Sequence, residues 1–289
     1  MIGKIIKSQK DIYYVANKDK VYLSKARGVF RNRGIKPLVG DNVEIDLVDK
    51  DQAYITKILD RKNQIKRPSI ANIDQLLVFV TINDPPLNLY NLDKYLAMCE
   101  YLGIEPVIIL SKIDMAENQE IEDFKKIYKK LNYKVISLDN YNDFPKDTIL
   151  NILHGKTSAV TGASGVGKST FLNNLVEMEI EIGSISKKLK RGKNTTRHIE
   201  IFKIDKDTNV FDTPGFDSFD LDFLEDENDL KYYFREMNDK NCKFSNCNHI
   251  KEPKCEVKKK VDDGVIAQSR YDNYLLLFKD LKDRRENRW

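Results

Sequence analysis

Gly162-Ala163-Ser164-Gly165-Val166-Gly167-Lys168-Ser169 decides how this 289-residue chain is read. The eight residues fit G-x-x-x-x-G-K-[ST], and the apolar run Thr157–Thr161 reads as the strand that feeds them. A helix is expected to begin at Lys168 and to run past Thr170 through Phe171, Leu172 and Leu175. That strand–loop–helix setting separates a phosphate-binding loop from a Gly-rich surface turn. Its glycines let backbone N–H groups face β- and γ-phosphates, and the helix N-terminus adds partial positive charge. Lys168 is placed to neutralise phosphate and the Ser169 hydroxyl to bind Mg²⁺.

The base is read upstream of this loop. Val107-Ile108-Ile109-Leu110 has the look of a buried parallel strand, and Ser111-Lys112-Ile113-Asp114 follows at its C-terminal end. In α/β sheets that end is where ligand contacts lie. The four residues resemble the N-K-x-D motif of GTPases with Ser111 in place of Asn. An Asp114 carboxylate accepts from guanine N1–H and the 2-amino group, and the Lys112 stem can cover the base. Alone, S-K-x-D describes a helix N-cap as well. Position adds weight, because a second strand, Tyr133–Ile136, ends at Ser137, where a GTPase places its fifth motif.

Downstream, Val210-Phe211-Asp212-Thr213-Pro214-Gly215 reads as a strand ending in D-x-x-G. Asp212 is expected to reach Mg²⁺ through water, and the Gly215 N–H to meet the γ-phosphate. Gly192-Lys193-Asn194-Thr195-Thr196 precedes a strand over Ile199–Ile204. A threonine there, Thr196, can ligate Mg²⁺ while the γ-phosphate holds the loop.

The motifs therefore run fourth, fifth, first, second, third, a circular permutation of the GTPase domain. With the flanking segments below, this closely resembles the ribosome small-subunit-dependent GTPase A family, and the resemblance covers nearly the whole chain. Its strongest elements are the permuted order, D-T-P-G-F at 212–216 and a Cys/His cluster near the C-terminus. Two departures stand out: Ser111 lacks the amide of the usual Asn, and Asn194 stands where relatives commonly carry His. Phe216, part of the family pattern, stands where Ras-like proteins place a water-orienting Gln. Turnover by the chain alone is therefore expected to be slow.

At this length, with 41% apolar residues, several cores can form. Apolar runs are strand-sized, and the start, Met1–Lys7, lacks the apolar core of a secretory signal. No membrane association, a cytoplasmic location and a monomer are expected. Only four cysteines occur, so a disulfide framework is not expected. Charge is uneven: residues 1–64 carry 14 Lys and Arg against 8 Asp and Glu, and residues 240–289 carry 13 against 8. Two basic ends suit a polyanion, though ordinary solvated surface has the same composition.

Residues 1–64 show short alternating strands, Ile12–Val15, Val21–Leu23, Val43–Leu47 and Tyr54–Ile58, separated by turn residues. A small β-barrel follows, and the resemblance makes it an RNA-binding OB-fold. Arg27–Gly34 mixes arginine with Phe30, suiting phosphate and an unstacked base, or a plain basic hairpin loop. Arg61–Pro68 reads as a linker. Residues 65–221 form the permuted α/β domain, opening with a strand at Gln75–Ile82. Leu92, Tyr95, Leu96, Cys99 and Leu102 share one helix face, which makes Cys99 a packing residue. A second amphipathic helix spans Ile121–Leu131. Residues 222–289 form a mostly helical third domain with Cys242, Cys247, His249 and Cys255, three thiols and an imidazole. That donor set suits a closed structural zinc site, though the spacing is not that of a zinc finger; the resemblance implies one zinc. A last helix, Ile266–Leu281, leads into Lys282, Arg284, Arg285 and Arg288.

The expected activity is Mg²⁺-dependent hydrolysis of GTP to GDP, coupled by resemblance to the small (30S) ribosomal subunit and its rRNA. Two alternatives explain fewer residues. A P-loop ATPase leaves Asp114 and Ser137 without a role, and an RNA-binding scaffold leaves the intact phosphate loop without one.

Overall fold

Alternating polarity over the first sixty residues builds five strands in the computed structural model: β1 (Ile2–Gln9), β2 (Ile12–Asn17), β3 (Lys20–Ala26), β4 (Asn42–Leu47) and β5 (Gln52–Ile58). The structure describes residues 1–287 apart from 19, 29, 31–33, 141–143, 183–198, 206, 213–223 and 240; for 176, 178–182, 200 and 212 it describes the backbone alone. Strand β1 pairs with both β2 and β4, β3 runs parallel to β5, and β5 pairs with β4. The ring is therefore a closed five-stranded, OB-like barrel. Ile5, Val15, Val43, Ile45 and Ile55 fill it.

Two details differ from the sequence reading. Phe30 is buried in the fold, so it is not available to stack on a base. Its apolar surface is better satisfied by packing than by waiting in water for a ligand. The Arg61–Pro68 stretch is braced rather than free. Arg61 Nε and Nη2 donate to the buried Asp41 carboxylate at 2.7 and 2.8 Å, and β6 (Gln64–Ile65) pairs with β7 (Ile70–Ala71).

The described chain forms two compact units, Met1–Phe79 with Asp139–Ser218, and Val80–Leu138 with Phe219–Trp289. In the first, β8 (Gln75–Val80), β11 (Thr157–Thr161) and β13 (Asn209–Asp212) run parallel with β11 in the middle. Strand β12 (Glu200–Lys203) runs antiparallel to β13, because Asp205 accepts from the Asp207 and Thr208 N–H groups and closes a tight turn between them. At its other edge β12 meets β1 of the barrel, Glu200 opposite Lys7. Helices α3 (Lys146–Leu153) and α4 (Lys168–Ile182) also belong to this unit.

The second unit holds β9 (Glu105–Ser111) and β10 (Lys134–Leu138) in parallel. Its helices are α1 (Leu89–Leu102), α2 (Asn118–Lys129), α5 (Glu256–Asp262) and α6 (Gln268–Glu286). Asn88 caps α1 by accepting from Asn91 N, and left-handed Gly103 ends it. Leu92, Tyr95, Leu96 and Cys99 are buried, so Cys99 packs as expected. No described helix is long and apolar enough to cross a membrane.

Candidate phosphate loop, base-reading turn and metal centre

Every residue of β11 is buried, which fixes the point where the phosphate loop leaves the sheet. Gly162, Gly165 and Gly167 take φ of 137°, 84° and 93°. A Cβ on Gly162 would lie 2.4 Å from the Phe79 carbonyl oxygen, so that position tolerates only hydrogen. Val166 is buried beneath the loop, while Ala163, Ser164, Gly165 and Ser169 are exposed. Lys168 Nζ donates to the carbonyls of Gly162 and Ala163 at 2.5 and 2.6 Å, holding the ammonium against the loop backbone. Helix α4 is anchored behind it by Phe171, which packs against Phe79 and Phe144 with ring centroids 5.0 and 6.0 Å apart.

Sequence reasoning missed one residue of this loop. Asn140 Nδ2 donates to the Gly167 carbonyl at 3.4 Å, and Asn174 of α4 donates to the Asn140 carbonyl at 3.1 Å. The Gly167 carbonyl also takes the first N–H bond of α4, from Phe171. No local pattern marks Asn140; only the fold brings it to the loop.

In the second unit, Ser111 is the last residue of β9 and is buried. Lys112 adopts a left-handed conformation, and Ile113–Met115 forms a single 3-10 turn. Asp114 on this turn is exposed. Strand β10 aligns Ser137 with Leu110 and Leu138 with Ser111, so Ser137 lies one residue inside the strand rather than past its end. Ser111 and Ser137 thus stand at the carboxyl ends of neighbouring parallel strands. Asp212 ends β13 by its backbone, whereas Thr196 and Gly215 lie outside the described residues, as do Asn194 and Phe216.

Cys242, Cys247, His249 and Cys255 converge, their ligand atoms all within 4.8 Å of one another. Cys242 Sγ lies 3.6 Å from His249 Nδ1 and 3.9 Å from Cys255 Sγ, and Nδ1 lies 3.3 Å from Cys255 Sγ. A tetrahedron with metal–sulfur bonds of about 2.3 Å and a metal–nitrogen bond of about 2.0 Å has edges of roughly 3.5–3.8 Å. The three separations among Cys242, His249 and Cys255 lie close to those edges, and with Cys247 beside them the cluster could hold one metal ion. Burial holds the His249 imidazole below its ordinary pKa, so nitrogen is available as a lone-pair donor at neutral pH.

The loop around the cluster is tied by groups the sequence did not single out. Glu252 accepts from the N–H groups of Asn248, Ile250 and Lys251 at 2.8, 2.8 and 3.0 Å. Burial pushes its pKa up, but these amides outweigh burial and pull it below the usual carboxylate range. Tyr271 and Tyr274 donate to the carbonyls of His249 and Asn248 at 2.6 and 2.9 Å. Buried Lys231 donates to the Cys247 carbonyl at 3.1 Å and to Asn248 Oδ1 at 3.3 Å. Its positive charge would offset that of three thiolates if the cluster held a metal ion.

A model of the RsgA GTPase matches residues 58–222, and a model of the RsgA N-terminal domain matches residues 2–55. Over 99% of its length the chain is 38% identical to a small ribosomal subunit biogenesis GTPase RsgA of Caldanaerobacter subterraneus, covering 98% of that protein. It is 40% identical to the protein of that name from Clostridium perfringens, covering 99% of this chain and all of that one. Among solved structures, YloQ, described as a circularly permuted GTPase, superposes with a TM-score of 0.81 at 33% identity, over 98% of this chain and 95% of that one. YjeQ from Thermotoga maritima gives the same TM-score and identity over 97% of this chain and 98% of that one.

Proposed function

The chain belongs to the RsgA GTPase family, and on that premise we propose that it hydrolyses GTP in maturation of the small ribosomal subunit. The observation that carries the reading is the unbroken strand, loop and helix of residues 157–182, with the Lys168 ammonium held against the loop. Residues 1–64 serve as the RNA-binding barrel, 65–221 as the permuted GTPase domain and 222–289 as the metal domain, in a cytoplasmic monomer.

Asp114 reads guanine through N1–H and the 2-amino group, the Lys112 stem covers the base, and Ser111, Ile113 and Ser137 complete its surround. Backbone N–H groups of Gly162 through Thr170 take the phosphates. Water attacks the γ-phosphorus in line, its bond to the β,γ-bridging oxygen breaks, and GDP and phosphate leave. Lys168 offsets charge that spreads over the phosphate oxygens as that bond lengthens. The Ser169 hydroxyl, Thr196 and Asp212 would hold Mg²⁺, which would supply further charge neutralisation, and the Gly215 N–H would meet the γ-phosphate. Cys242, Cys247, His249 and Cys255 would hold one structural zinc.

Steady-state turnover of GTP, alone and with purified small subunits, tests the reading. Slow hydrolysis that rises severalfold with subunits is expected, and Lys168→Ala should remove both rates. ATP competing equally with GTP would point to a different P-loop enzyme. Subunit binding without turnover under either condition would leave a scaffold.

A further inference from the structure

Asn83 and Asp84 fall outside every motif, in the loop between β8 and α1, yet both reach the turn that carries Asp114. Asn83 Nδ2 donates to the Met115 carbonyl at 2.8 Å. Asp84 Oδ2 accepts from Lys112 Nζ at 3.0 Å. Residues 112 and 115 flank Asp114, so the turn is held from both sides.

The turn itself is short and conformationally demanding. Lys112 sits at φ 54° and ψ 43°, a left-handed conformation that side chains other than Asn and Asp seldom adopt. The turn's own backbone bonds are Met115 N to the Lys112 carbonyl at 3.1 Å and Ala116 N to the Ile113 carbonyl at 3.3 Å. The loop that grips it is, by contrast, closed on itself. Thr81 Oγ1 donates to the Pro85 carbonyl at 2.6 Å, and Leu87 N to the Ile82 carbonyl at 2.9 Å.

We propose that Asn83 and Asp84 are positioning residues that pre-order the base-reading turn and thereby set the strength of guanine selectivity. The inference rests on the reading of Asp114 given above. A carboxylate that accepts two hydrogen bonds from one edge of a planar base must be held in that plane. A turn that is ordered only on binding loses affinity to the entropy of ordering. The Asp84 side chain is 65% exposed and Asn83 is exposed, so neither supports a core. Their ion pair and amide bond act on geometry more than on stability.

The test uses the full chain with Asn83→Ala and Asp84→Asn, singly and together. Affinities for GDP, inosine diphosphate and ADP are measured with each variant's melting temperature. Inosine lacks only the 2-amino group, so the preference for GDP over inosine diphosphate reports the second hydrogen bond to Asp114. The double variant is expected to lose about fivefold of that preference, the worth of one modest hydrogen bond. Its melting temperature should stay within about 3 °C, because exposed pairs contribute little stability. Asp84→Glu, which keeps the charge, should retain most of the preference. An unchanged preference in the double variant overturns the proposal, and so does a loss that appears only together with a fall in melting temperature. A parent chain with no preference for GDP over ADP would instead defeat the reading of Asp114 itself.

Discussion

Gly162 shows how little freedom a phosphate loop has at its first residue. Its φ of 137° is closed to ordinary side chains, and the Phe79 carbonyl occupies the space where a Cβ would stand. Asp114 is the opposite kind of position, exposed and free of packing demands, so its substitution should spare the fold. Asp114→Asn exchanges two acceptor oxygens for one acceptor and one donor. Affinity for GTP is expected to fall about tenfold or more, since an N–H of guanine then faces an N–H of the protein. Xanthine nucleotides, which offer an acceptor in place of the 2-amino group, should gain. Competition binding of GTP against xanthosine triphosphate reads both effects, and equal GTP affinity in mutant and parent would remove Asp114 from the base site.

Among the elements of the second unit, α1, α2 and α6 are joined by a buried polar network as well as by apolar packing. Arg270 donates to Asp93 and to Glu236, each at 2.5 Å, while Tyr128 and Asn273 donate to the same Asp93 at 2.9 and 2.7 Å. Arg270 and Asp93 are almost fully buried, and removing one partner of such a pair strands the other charge. The segment from Cys242 to Cys255 has few apolar side chains of its own. Carbonyl and carboxylate contacts order it, and on the proposed reading a bound ion would hold its sulfurs together. Elemental analysis of protein purified without chelators should find about one zinc per chain, as one closed four-ligand set requires. Cys247→Ser should lower that content and speed hydrogen exchange over residues 242–262 while leaving GTP affinity close to the parent's. Protein that contains no metal from the start would overturn the assignment.

On the scale of the whole molecule, barrel and sheet in the first unit are not separable pieces. Strand β1 pairs with β12, Lys4 Nζ donates to Thr157 Oγ1 at 3.4 Å, and the same threonine's N–H donates to Asp74 at 2.8 Å. Burial holds Lys4 below its ordinary pKa against the pull of Asp74. Deleting the barrel would thus damage the strand that feeds the phosphate loop. Surface charge is the cleaner probe of RNA grip. Lys10 and Lys25 are exposed on the barrel, whereas Arg27 is paired with Asp46 and Arg285 with Glu227. Reversing Lys10 and Lys25 to Glu should weaken small-subunit binding, and the log–log salt slope should shrink by about one per lost phosphate contact. Basal turnover should be unchanged. Parent-like subunit affinity and salt slope would show that this face of the barrel does not meet RNA.

Much of this was legible in order and spacing alone. The loop at 162–169, the S-K-I-D turn and the permuted order needed no coordinates, because phosphate and base recognition use short contiguous segments whose chemistry is local. The strands of the barrel followed from period-two alternation, except β1, whose Ile2 is exposed and Ile6 only half-buried. What local pattern could not supply was any contact made across long sequence separations. Asn140 at the loop, Lys231 beside the thiols and Arg270 on Asp93 carry no signature of their own. Phe30 read as an exposed aromatic because its neighbours are basic, and the fold buried it because apolar area is costly to leave in water. Residue type and spacing determined which chemistry this chain carries; tertiary packing decided which side chains hold that chemistry in place, since a hydrogen bond or a buried charge is worth its energy only where the fold has already excluded water and fixed the partner.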